Sequence, residues 1–133
     1  MPTAVEVVTP QRTLFSGEAE MVVCRTADGD IAFLANHMPF IGALEPGLVR
    51  LVLADGADEV RMAVHGGFVE VSDNQVTMLA DVAELAGDID VARAQRAREE
   101  AERRVAAGEG AEAEAALRRA EVRLTAAEAV SRI

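Results

Sequence analysis

At 133 residues the chain has room for one medium domain or a small domain with an appendage, and half its residues are apolar, enough for a packed core. Charge is unevenly placed: up to Asp88 fourteen acidic residues meet four arginines, a net of −10, whereas from Ile89 onward nine acidic residues meet nine arginines and cancel. A surface that acidic repels nucleic acid and anionic lipid at long range, which argues against a DNA- or RNA-binding role.

From Ala4 to about Leu85 the chain reads as short strands. Val5 and Val7 alternate with polar neighbours, as do Met62 and Val64, and Phe68, Val69 and Val71 form a further β-rich run. Turn signals recur at Ser16-Gly17, Asp28-Gly29, Glu45-Pro46-Gly47, Asp55-Gly56, Gly66-Gly67 and Ser72-Asp73-Asn74. Strands this frequent, with no helical period between them, predict a β-sandwich or flattened barrel over residues 1–87. Four phenylalanines and no tryptophan or tyrosine leave its core to Val, Leu, Ile and Met.

After Gly87 the period changes, and residues 88–133 read as a separate helical part. Asp88 or Asp90 can cap a helix by accepting backbone N–H bonds from its first turn. The pattern predicts a helix from about Asp90 to Ala107, a stop at Gly108-Glu109-Gly110, and a second helix from near Ala111 towards the C-terminus. The second helix places Ala113, Ala116, Leu117, Ala120, Leu124 and Ala127 on one face, and the first offers Val91, Ala94, Ala97, Ala101 and Val105 to meet it. An antiparallel hairpin lined by alanine packs closely but buries little, since each missing CH₂ forgoes about 0.8 kcal/mol. Glu99 with Arg103, Glu100 with Arg104, and Glu114 with Arg118 stand four apart in the favourable order, so the helices have support of their own. Arg119 and Arg123 have no carboxylate three or four residues away on their helix.

The run Val64-His65-Gly66-Gly67-Phe68-Val69-Glu70-Val71, followed by Asn74-Gln75-Val76-Thr77-Met78-Leu79-Ala80-Asp81, is similar to the signature of epsilon subunits of F-type (proton-translocating) ATP synthases. Asn36-His37-Met38-Pro39 with Leu44-Glu45-Pro46-Gly47, and Val8-Thr9-Pro10 with Leu14-Phe15-Ser16-Gly17, resemble the same family in order and spacing. The resemblance spans the whole chain. It implies a β-sandwich of about ten short strands followed by a C-terminal antiparallel α-helical hairpin. It implies a non-catalytic rotor subunit of the central stalk, coupling proton-driven rotation to ATP synthesis. In such a subunit the sandwich (1–87) binds the gamma subunit and sits on the c-ring, the latter through the loop of Asp28, Gly29 and Asp30. The hairpin (88–133) either rests on the sandwich or extends along gamma towards the catalytic beta subunits, where it inhibits hydrolysis. The implied location is peripheral, on the cytoplasmic face of the cell membrane.

Ile89-Asp90-Val91-Ala92-Arg93-Ala94 resembles the Ile/Leu-Asp-x-x-Arg-Ala pattern of relatives whose folded hairpin binds ATP. By that resemblance Glu84, Ile89, Asp90, Arg93, Ala94, Arg119 and Arg123 form an ATP site, with ATP a regulatory ligand and no cofactor required. Three guanidinium groups, from Arg93, Arg119 and Arg123, are expected to converge at the open end of the hairpin. From the residues alone, Asp90 and Arg93 are also a helix cap and an i,i+3 ion pair.

Other function classes have fewer residues behind them. Cys24 is the only cysteine and the only histidines are His37 and His65, a set whose spacing does not indicate metal ligation. No Walker-type loop, Gly-x-Gly-x-x-Gly run or Ser/His/Asp set stands in the sequence, so catalysis lacks its usual parts. A stand-alone nucleotide-sensing module and a small metal hydrolase are the alternatives. No basic segment leads into an apolar run, and no stretch of about 18 uncharged apolar residues is present. Membrane association is therefore expected to be indirect, through a partner.

Overall fold

The structure, a computed structural model, describes residues 2–53 and 58–131. Nine strands come first: β1 (Thr3–Val8), β2 (Thr13–Thr26), β3 (Gly29–Leu34), β4 (Phe40–Leu44), β5 (Gly47–Leu53), β6 (Glu59–Val64), β7 (Gly67–Ser72), β8 (Gln75–Ala80) and β9 (Ala83–Leu85). A single 3₁₀ turn at Ala86–Asp88 leads into α1 (Val91–Ala106) and α2 (Ala111–Ser131). The expected sandwich and hairpin are both present. The turn expected at Asp55-Gly56 lies outside the described residues.

The period-two pattern sorts each strand. On β8, Val76, Met78 and Ala80 are buried while Gln75 and Leu79 are exposed; on β7, Val69 and Val71 point in and Phe68 and Glu70 out. Hydrogen bonding runs β1-β8-β7-β4-β2-β5-β6-β9, with β3 on β2 and a further β1–β2 pairing. β7 and β6 are four steps apart in that order, yet Val69 and Val71 share one core with Met62 and Val64, so the sheet folds over on itself. Val7, Val22, Phe33, Leu51 and Met78 are fully enclosed there.

β2 makes the fold-over possible. Its 14 residues pair with β1 through the first half, with β5 through Ala19 to Val23, and with β3 through Met21 to Thr26. This corrects the turn expected at Ser16-Gly17: both residues lie within β2, opposite Glu6 and Val5. Local turn propensity yields here to ladder bonds that β1 supplies from the other side. The other turns within the described residues fall where expected. Asp73 and Asn74 take positive φ in the two-residue link between β7 and β8, and the Asn74 side chain holds both Pro2 O and the Asn36 N–H. Gly67 has φ of 123°, and a Cβ there would stand 2.2 Å from the Leu79 carbonyl oxygen, so only glycine fits.

The hairpin lies on the outside of this sheet. Ala94 and Ala101 of α1 and Ala113 and Ala120 of α2 are buried along the inter-helix seam, but Val91 and Ala97 are exposed, so the stripe on α1 is narrower than predicted. α2 meets the sheet through a second small cluster: Ala63, Ala86, Ile89, Ala126 and Ala127, edged by Leu48 and Val122. Ala63 is on the outer face of β6, between the inward-facing Met62 and Val64. The expected partners of two arginines are exchanged for others, since Arg103 turns to Glu100 and Arg104 to Glu109; Arg98 meets Glu102 one turn on.

Two separate apolar clusters, one inside the sheet and one beneath α2, imply that the sheet completes its own core. A chain ending at Gly87 is expected to keep one cooperative thermal transition by circular dichroism. Loss of that transition would show that sheet and hairpin fold only together. Met78→Ala, by contrast, hollows the sheet core and should cost about 2–5 kcal/mol.

Candidate functional site

The residues matching the nucleotide-binding pattern fall where β9, the 3₁₀ turn and the two helices meet. Leu85 and Ile89, on either side of that turn, have extended backbone, and Ile89 is buried beneath α2. Asp90 ends the extended segment as the N-cap of α1, its carboxylate accepting a hydrogen bond from the Arg93 N–H at 3.0 Å. Of the two capping candidates, Asp90 is therefore the cap. The i,i+3 ion pair does not accompany it. Among the described residues no carboxylate is paired with the Arg93 guanidinium.

A cleft of about 280 Å³ opens at this junction, lined by Glu84, Asp88, Ile89, Asp90, Arg93, Ala94, Ala97 and Arg123. Six of the seven predicted residues thus line one space. Arg119 is the exception: its guanidinium reaches back along α2 to Glu112 at 3.1 Å, so two arginines rather than three converge on the cleft. Neither Arg119 nor Arg123 is free. Arg123 crosses to the sheet and donates from Nε to Glu84 Oε1 at 2.5 Å, both side chains partly buried. A same-helix search could not find this pair, since its members are 39 residues apart.

The carboxylates of the cleft are each engaged. Glu84 holds Arg123, Asp90 caps α1, and Asp88 is 3.7 Å from Arg12 at the surface. Among the described residues Arg93 is the lining charge left without a counter-ion, and charge-assisted bonds to phosphate or carboxylate oxygens are what such a guanidinium is built to make.

Behind the Arg123–Glu84 pair sits His65, which sequence reasoning weighed only as a metal ligand. Its side chain is 4% exposed, neither ring nitrogen has a hydrogen-bond partner among the described residues, and Nε2 is 4.0 Å from Glu84 Oε1. Burial, and then the charge of Arg123, push its pKa down to about 4. Nothing in the local sequence signals this.

The other nominated loop is a tight link between β2 and β3. Thr26 pairs with Gly29, its hydroxyl donating to the Gly29 carbonyl and accepting from the Asp28 N–H. Asp30 takes a two-pronged contact from Arg25, at 2.9 and 3.4 Å, which holds its carboxyl below the usual range. Cys24, next along β2, is buried, and burial first, with Asp30 second, pushes its thiol up to about 12. Among the described residues no group of three His, Cys, Asp or Glu side chains is placed to hold a metal ion, and no helix is long and apolar enough to cross a membrane.

Comparison with known proteins agrees on the class. Residues 3–86 match the family model for the ATP synthase delta/epsilon chain β-sandwich domain, and residues 88–128 the model for its long α-helix domain. The ATP synthase epsilon chain of Streptomyces avermitilis is 49% identical over 125 residues, 94% of each chain. That of Thermobifida fusca is 47% identical over 127 residues, 94% of this chain and 91% of the relative, and that of Brevibacillus brevis 54% over 101 residues, 76% of each. In solved structures the fold recurs in a chain of the Euglena gracilis mitochondrial ATP synthase OSCP/F1/c-ring assembly. That match has a TM-score of 0.71 and 22% identity, and covers 98% of this chain and 80% of that one. The chain belongs to the ATP synthase delta/epsilon family, among the epsilon chains. These are non-catalytic subunits of the ATP synthase.

Since the Asp90 carboxylate caps α1, Asp90→Ala should weaken the first turn by about 1 kcal/mol, and Asp90→Asn by much less. Amide hydrogen exchange at Ala92 to Ala94 reads the difference. Equal exchange in the two variants would remove the cap from the account.

Proposed function

We propose that this chain works in the central stalk of the ATP synthase as a rotor subunit that couples proton-driven rotation to ATP synthesis, with a hairpin that restrains ATP hydrolysis. The sandwich binds gamma and rests on the c-ring, and the extended hairpin reaches the catalytic beta subunits. The complex holds the chain at the cytoplasmic face of the cell membrane as a peripheral protein.

The observation that carries the reading is how lightly the hairpin is held. Between α2 and the sheet are alanines, one isoleucine and the edges of Leu48 and Val122, and among the described residues Arg123–Glu84 is the ion pair from the helix to the sheet. Helices of 16 and 21 residues with intrahelical pairs of their own survive leaving such a seat. A seat for a partner is also present: Phe68 on β7 stands beside Ala43 and Leu79 on the outer face, with Ile41 nearby, and Ile41, Phe68 and Leu79 are 56–73% exposed. Contiguous exposed apolar surface of this kind marks a protein interface, and gamma is the occupant proposed. For the c-ring contact, Asp28 and Asp30 present carboxylates at the exposed end of the β2–β3 link.

ATP is the proposed regulatory ligand of the cleft. Arg93 and Arg123 would take the phosphates, and Ile89, Ala94 and the neighbouring backbone would border the base. Bound across α1 and α2, ATP would favour the hairpin seated on the sheet and so oppose inhibition.

Removing residues 88–133 should raise hydrolysis by the assembled enzyme or leave it unchanged, and added salt should weaken inhibition by the intact chain because charge contacts are screened. A clear fall in hydrolysis with assembly intact would reject the inhibitory role. Calorimetric titration of the isolated chain should detect ATP, with Arg93→Ala and Arg123→Ala each weakening binding at least tenfold and Arg119→Ala less. Wild type that binds nothing at millimolar ATP would leave Ile89 to Ala94 as a helix start only.

A further inference from the structure

We propose that His65 is a proton-operated release for the hairpin, its protonation loosening α2 from the sheet; this rests on the reading that the hairpin leaves its seat. The geometry turns on one atom. Glu84 Oε1, which accepts the Arg123 Nε–H, also stands 4.0 Å from His65 Nε2. Arg123 is the ion-pair anchor of α2 on the sheet among the described residues. A charge arriving on His65 acts on that anchor twice: it competes for the oxygen Arg123 uses, and it repels the guanidinium.

The charged groups acting on His65 are few. Glu84 on β9 favours an imidazolium, whereas Arg123 and Arg119, both on α2, oppose it. On its own loop the backbone N–H of His65 is taken by the Val82 carbonyl, and the ring itself has no hydrogen-bond partner among the described residues. An imidazolium enclosed without a hydrogen bond is costly. Once α2 is gone, both opposing arginines leave with it, and the ring is left with Glu84 as its charged neighbour. Protonation is thus disfavoured in the seated state and ordinary in the released one.

The sign follows from linkage. With the released ring at an ordinary 6.5 and the seated one lowered to about 4 by burial and then by Arg123, the seated state is favoured fully above pH 6.5. That preference declines as pH falls from 6.5 towards 4, by about tenfold in the seated-to-released ratio per pH unit. Acidification therefore moves the population towards the released hairpin.

The test uses the full chain with donor and acceptor dyes at Glu70→Cys and Ala107→Cys, both exposed positions, Cys24 being shielded by burial. Single-molecule energy transfer gives the seated and released populations. The wild-type ratio should fall about tenfold between pH 7.5 and 5.5. His65→Gln should show no change over that range, and His37→Gln should behave as wild type. A ratio unchanged in the wild type, or falling in parallel in His65→Gln, overturns the proposal. Should His65→Gln fail to fold, the wild-type imidazole is followed by NMR: a midpoint near 4 in the seated chain supports the proposal, and one near 6.5 overturns it. Hydrolysis by the assembled enzyme with and without residues 88–133, at pH 7.5, tests the inhibitory role separately. A proton-insensitive hairpin that still inhibits defeats this inference alone.

Discussion

The seat of α2 on the sheet is made almost entirely of methyl groups. Ala63 presents one carbon to Ala126 and Ala127, and the only larger buried side chain in that cluster is Ile89. Apolar contact of this kind is non-directional and small, so it allows the helix to approach closely without fixing where along the sheet it stops. Register is left to the directional contact, the bond from Arg123 to Glu84. An interface in which area holds little and one partly buried ion pair sets position is sensitive to charge placed near that pair. The cleft with Arg93 and the enclosed His65 both lie beside it.

The contrast with the sandwich interior is one of side-chain size. Phe33, Leu51, Met62 and Met78 lie in its core with six or more enclosed valines. That interior depends on the fold-over of one long strand, since β2 pairs with β1, β3 and β5 along its 14 residues. The chain thus joins a body with a large core to an arm with a slight one. Local opening begins where buried apolar contact is least, so the arm is the part expected to open first.

Much of this was legible in the sequence because periodicity reports which side of a strand or helix faces a core. Val69 and Val71, Val76 and Met78, and the alanines at 94, 101, 113 and 120 are buried where alternation or helical spacing puts them. Where the reading failed, a distant neighbour decided the outcome. Ser16-Gly17 looks like a turn until β1 lies alongside it. Arg119 and Arg123 looked unpaired because partners were sought one helical turn away, whereas Glu112 is two turns away and Glu84 is on another element. His65 was invisible for the same reason: a histidine before two glycines has no local signature of burial, and the charged groups beside it come from β9 and α2. The six cleft residues were found through resemblance, with Asp90 and Arg93 also given structural roles by their own chemistry, of which the Asp90 cap is the one present.

The state of the cleft's charges sets what a ligand there can do. Each lining carboxylate already has a partner, so an arriving anion is not opposed by bare negative charge, but among the described residues it finds one lining cation without a counter-ion, Arg93. To engage Arg123 as well it must share that guanidinium with Glu84. Arg123 donates to Glu84 through Nε, and a guanidinium carries further N–H groups, so sharing need not break the bond that positions α2. A ligand that bridges Arg93 on α1 and Arg123 on α2 in this way adds to the seat instead of competing with it. Protonated His65 does the opposite, because it contends for the carboxylate oxygen itself. In this proposed scheme an anion and a proton act on the two sides of one ion pair with opposite sign, and the position of the hairpin follows their balance.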